Sequence, residues 1–99
     1  MPDESSSLVQ DLIRVLRGID QGSLNAIADP ALRPVLSAER ESLWLKAELI
    51  GKRLKDLGGV ELMQRAVREA RRVNARMSEA LEDSWSSRVK GYERVRWLP

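Results

Sequence analysis

Residues 61–87 read ELMQRAVREARRVNARMSEALEDSWSS, with no glycine or proline. Apolar side chains recur at Met63, Ala66, Val67, Ala70, Val73, Met77, Ala80 and Leu81. Steps of three and four place them along one stripe of an α-helix. Arg65, Arg68, Arg72 and Arg76 form a second stripe on another side. The helix is expected over 60–88 and spans about 40 Å. It cannot hide its apolar stripe alone, so the rest of the chain or a partner has to cover it.

Working outward, Gly58-Gly59 precedes this helix and predicts a tight reversal. A connection that short leaves the flanking helices antiparallel. The helix before it is expected over 35–57. There Leu36, Leu43, Ile50 and Leu57 recur every seven residues with Arg40, Ala47 and Leu54 beside them, the signature of a coiled-coil-like seam. Trp44, Leu45 and Leu49 extend its apolar surface beyond that seam, so this helix is expected to meet two neighbours. Upstream, SLNAIADPALRPV holds Asp29-Pro30, a good cap and first-turn pair, and Pro34, which interrupts a continuous helix. One or two short turns are expected there. A first helix is expected over 8–21, with Ser7 as its cap, Leu8, Leu12, Val15 and Ile19 on its inner face, and Gln21-Gly22-Ser23 as its stop. Residues 1–7 read as a disordered leader. The expected fold is a single all-α domain, an elongated antiparallel three-helix bundle containing a coiled-coil-like hairpin.

Composition removes several chemistries. Among 99 residues there is no Cys and no His, which excludes disulfides, thiolate nucleophiles, Cys/His zinc sites and imidazole acid–base catalysis. No cofactor or metal is expected, and no enzymatic activity. The net charge of +2 comes from 17 basic and 15 acidic residues, too balanced for a polybasic nucleic-acid binder. Glu69, Glu79, Glu82 and Asp83 lie among or just after the arginines and would repel phosphate. No apolar run approaches the roughly 20 residues needed to cross a bilayer, and the acidic start MPDESSS is unlike a signal peptide. A cytoplasmic location without membrane or nucleic-acid partners follows as the expectation.

The tail, residues 91–99, is expected to follow a helix end at Gly91. Trp85, Tyr92 and Trp97 hold three of the four aromatics, with Arg94 and Arg96 interleaved. Either the tail folds back to fill the end of a thin bundle, or it docks on a partner, where Trp, Tyr and Arg are favoured. Met63 and Met77 likewise serve either a core or a groove that accepts an amphipathic helix.

Two segments resemble flagellar export chaperones of the FlgN type, small cytoplasmic all-α proteins that hold hook–filament junction subunits before secretion. The first is Leu36-Ser37-Ala38-Glu39-Arg40-Glu41-Ser42-Leu43, and the second is Ala70-Arg71-Arg72-Val73-Asn74-Ala75-Arg76-Met77. Met77 stands where the family often has a second Asn. The resemblance implies a partner-binding surface at Asn74, Met77, Leu81 and Trp85, to which the tail adds Tyr92 and Trp97. Asn74 has another reading, a polar residue that fixes helix register. On the chaperone reading, Trp85→Ala and Leu81→Ala weaken client binding and leave helix content unchanged. The alternative is a helical hairpin that dimerises and has no client, served by exposed apolar surface on the second helix. A remote alternative rests on Leu16-Arg17-Gly18-Ile19-Asp20, which resembles the L-R-x-x-I-D opening of small chorismate mutases. It is one residue short, and one residue turns the helix by about 100°.

Overall fold

Helix formation begins earlier and runs longer than the caps suggest. The computed structural model describes residues 4–95, with the backbone alone over 23–27. Helix α1 covers Glu4–Ala28. Ser7 lies inside it rather than capping it, and the expected leader contributes Glu4, whose carboxylate accepts from Arg53 Nε at 2.8 Å. Glycine inside a helix costs only about 1 kcal/mol, so Gly22 does not stop α1. It ends where Asp29-Pro30 leaves no alternative. Asp29 accepts from Ala31 N at 3.1 Å and caps a single 3-10 turn, Pro30–Leu32. Helix α2 then covers Arg33–Val73, with Pro34 in its first turn where a missing N–H costs nothing.

The paired glycines fold α2 on itself. Gly58 (φ −151°, ψ 15°) and Gly59 (φ 74°, ψ −169°) leave helical geometry, and Gly59 takes a backbone conformation closed to most L side chains. The two arms, 33–57 and 60–73, form the expected hairpin. Their directions follow from the contacts with α1. Glu4 meets Arg53, and a Cβ at Gly18 would lie 3.3 Å from Leu43 Cδ1, so the first arm runs antiparallel to α1. Asp20 bonds Arg76 at 3.1 Å, just beyond the second arm.

The long helix expected over 60–88 is broken. Asn74 adopts extended geometry (φ −160°, ψ 108°), ends α2, and begins helix α3, Ala75–Arg88. Its side-chain oxygen accepts from Met77 N at 3.2 Å, a use of Asn as helix cap that periodicity alone does not reveal. The chain turns back here. Arg76 sits beside Asp20 at one end of the bundle, whereas Lys55 Nζ donates to the Lys90 carbonyl and Gln64 Nε2 to the Glu93 carbonyl at the other. So α3 runs back along α2, and the all-α bundle contains a second reversal where a straight rod was expected.

The core lies between these segments. Leu12, Leu16 and Ile19 come from α1, and Ala47 and Leu54 from the first arm. Met63, Ala66, Val67 and Ala70 come from the second arm, and Leu81 and Trp85 from α3. The heptad row of the first arm is not its most buried one: Leu36, Leu43 and Ile50 are half-buried and Leu57 is exposed. Instead Ala47, Gly51 and Leu54 face inward. The reason is Trp85, fully buried over Gly51, with its indole N–H donating to the Ala47 carbonyl at 3.0 Å. A Cβ at Gly51 would lie 2.6 Å from indole Cε2 and Nε1.

Two substitutions test this seat. Trp85→Ala removes a fully buried aromatic and is expected to cost about 3–5 kcal/mol. Gly51→Ala should gain helix propensity yet lose about 1–3 kcal/mol to overpacking. Urea denaturation followed by circular dichroism reads both. An unchanged or raised midpoint for Gly51→Ala would mean that the indole does not rest there.

Candidate docking surface

The residues that the sequence offers as a partner surface are mostly inside. Leu81 and Trp85 are fully buried, and Met77 and Tyr92 nearly so. Their shared stripe is covered because α3 turns back onto the first arm. Asn74 is half-buried and occupied as a cap. Trp97 lies outside the described residues. Leu81→Ala and Trp85→Ala therefore act on folding, which corrects the expectation that they touch only a client. The tail over 89–95 takes the fold-back course, with Val89, Tyr92 and Val95 buried.

What holds the tail is a residue that sequence reading leaves on a solvated face. Glu82 is 2% exposed, and its Oε2 accepts from Tyr92 Oη and from Val95 N, both at 2.8 Å. A buried carboxylate needs such donors, since desolvation otherwise costs several kcal/mol. The Tyr92 ring also meets Trp85 edge-on, centroids 5.6 Å apart. Burial, and then the adjacent Glu82 carboxylate, raise the Tyr92 hydroxyl well above the ordinary tyrosine range. Outside this cluster, Arg94 Nη2 ties the tail to Asp83 at 2.6 Å.

A cleft of about 220 Å³ opens where α1 passes the Asn74 corner. Ile13, Leu16, Ala70, Val73 and Met77 form its apolar walls, with Arg17, Asp20 and Asn74 among them. It falls below the usual range for small-molecule pockets, about 300–1,000 Å³. Asp20 is engaged by Arg76. Among the described residues no cluster of three or more His, Cys, Asp or Glu side chains could hold a metal. No described helix is long and apolar enough to cross a membrane.

The most exposed large apolar side chains among the described residues lie on the first arm of α2. Val35, Leu45 and Leu49 are 59%, 51% and 63% exposed. At 100° per residue they share one side of the helix with Ala38 and Ser42, opposite the buried Ala47 and Gly51. That stripe covers about four turns, roughly 20 Å. Sequence reading identified Leu45 and Leu49 as surplus to the seam, but expected a second neighbour to cover them. No described element does. Comparison of the chain with protein-family profiles, with curated proteins and with solved structures finds no match.

The Glu82 cluster gives a measurable pH signature. Because folding raises the Tyr92 pKa, the hydroxyl stabilises the fold fully below the unfolded value, about 10. That contribution falls as pH rises above it. Tyr92 is the chain's single tyrosine, so absorbance at the tyrosinate band should show no ionisation near that value in the folded protein. Titration at the ordinary value would place the ring in solvent. Glu82→Ala leaves the Tyr92 hydroxyl and Val95 N–H without an acceptor and should cost about 2–4 kcal/mol in denaturant melts.

Proposed function

We propose that this chain is a non-enzymatic, cytoplasmic helical protein-binding module whose docking face is the outer side of the first arm of α2. One observation carries the reading: Leu45 and Leu49, on successive turns, are each more than half exposed on a well-formed helix. Burying a leucine fully is worth about 1.5–3 kcal/mol, so covering both gives a partner helix a favourable anchor. Amphipathic helices engage such surfaces through anchors spaced three, four and seven apart. The stripe offers that spacing in return.

The export-chaperone form of this reading supplies the partner as an amphipathic segment of a secreted hook–filament junction subunit. Its support is the resemblance of residues 36–43 and 70–77 to FlgN-type chaperones, and the first of these segments lies on the docking arm itself. In this form the client rests on Leu45 and Leu49. Asn74, Met77, Leu81, Trp85 and Tyr92 then serve the fold beneath.

Calorimetry of the purified chain with a synthetic C-terminal peptide of a junction subunit tests the chaperone form. Saturable binding is expected, reduced at least tenfold by Leu45→Asp with Leu49→Asp while helix content stays at the wild-type level. An absence of heat with the wild-type chain rejects the export client. For the wider reading, recovery of the tagged protein from its own cells should yield a partner that the double variant loses. A partner retained equally by both would move the docking face elsewhere.

A further inference from the structure

The charges beside the leucine stripe specify a partner more closely than its apolarity does. Glu39, Glu41, Lys46, Glu48 and Lys52 flank it, and among the described residues none forms an ion pair within the chain. They are not randomly ordered. Glu39 and Glu41 lie before the leucines; after them lie Lys52, Arg53 and Lys55, with a single acid, Asp56, among them. Ala47 is the midpoint of both sets: Glu41 and Arg53 are each about 9 Å along the helix from it, and Glu39 and Lys55 about 12 Å. A helix whose free face is mainly acidic at one end and mainly basic equally far along the other complements its own reverse.

We infer that the first arm of α2 pairs antiparallel with the same arm of a second copy, about a two-fold axis passing beside Ala47. This rests on the docking face proposed above and names its occupant. Turning one copy about that axis sets Leu45 against Leu49 of the second copy, and Leu49 against its Leu45. Ala38 and Ser42, both small, let the helices approach on either side of these layers. On one flank Glu39 comes opposite Arg53 of the second copy. On the other, Glu41 comes opposite its Lys52 and Lys55. Each pairing occurs twice, as two-fold symmetry requires. Arg53 also binds Glu4 within its own chain at 2.8 Å, half-exposed on both sides, so a second carboxylate can share its guanidinium. Lys46 and Glu48, nearest the axis, each meet their own counterpart, which weakens the contact. Parallel pairing would instead set Glu39 near Glu41 of the second copy, and Arg53 near its Lys52 and Lys55.

Sedimentation equilibrium and directed crosslinking of the full chain test the arrangement together. The wild-type protein is expected to show a concentration-dependent monomer–dimer equilibrium. Leu45→Asp with Leu49→Asp should weaken it at least tenfold with unchanged helix content, and Glu48→Gln, which removes the repulsion at the axis, should strengthen it. The chain has no cysteine, so single substitutions report geometry cleanly. Oxidised Glu48→Cys should give a disulfide-linked dimer. Asp56→Cys should not, because its antiparallel counterpart is Ala38. Crosslinking of Asp56→Cys, which meets its own counterpart only in a parallel pair, would overturn the inference, as would a dimer indifferent to the leucine substitutions. A wild-type chain that stays monomeric at millimolar concentration also overturns it. In that last case a peptide or cellular partner that still depends on Leu45 and Leu49 would leave the docking face standing, and loss of both would remove it.

Discussion

The bundle depends on the notch that Ala47 and Gly51 make for Trp85. An indole is the largest side chain this core has to place, and it carries an N–H that needs an acceptor once buried. Gly51 supplies the room, since any side chain there would overlap the ring at 2.6 Å. Ala47 supplies the acceptor through a backbone carbonyl at 3.0 Å. Seating the ring draws α3 against the first arm of α2, and that fixes the rotation of the arm. The small residues turn inward and the leucines on the far side, Leu45 and Leu49, turn outward. Core and surface therefore share one cause.

That coupling relocates the functional question. An apolar stripe on the long C-terminal segment reads naturally as a binding edge while the segment is imagined as a straight rod. Once the chain reverses at Asn74, α3 covers its own stripe against the rest of the molecule, and the tail closes over Trp85. Among the described residues, the large apolar side chains most exposed to solvent are then Val35, Leu45 and Leu49 of α2. Apolar exposure by itself is ordinary on protein surfaces. Here it is concentrated on one helix face with unpaired charges on both flanks, which is the pattern of a helical interface.

Glu82 shows how a charged residue can serve a small core. Its carboxylate joins three parts of the chain: α3, the Tyr92 hydroxyl and the backbone at Val95. Removing one partner from such a cluster costs more than the cluster contributes net, because the remaining groups stay buried without mates. The tail is held by this network and by the edge-on contact of Tyr92 with Trp85.

Local chemistry was enough to determine the all-helical fold, the reversal at Gly58-Gly59, the cap at Asp29-Pro30 and the inner stripe from Met63 to Ala70. Glycine and proline act on backbone geometry directly, and the stripe's period belongs to one helix alone. Leu45 and Leu49 were legible as apolar surplus, but not as solvent-facing. The tertiary structure decided the rest. Asn74 is tolerated within a helix and favoured at a cap, so its role depends on where the next segment finds a surface to bury. Neighbouring apolar rows of one helix differ by less than a third of a turn, and only the arrival of Trp85 selects the row bearing Ala47 and Gly51 over the heptad row beside it. Glu82 reads as a solvated charge until the returning tail brings its donors. In each case the deciding partner is far away in sequence, and periodicity carries no information about it.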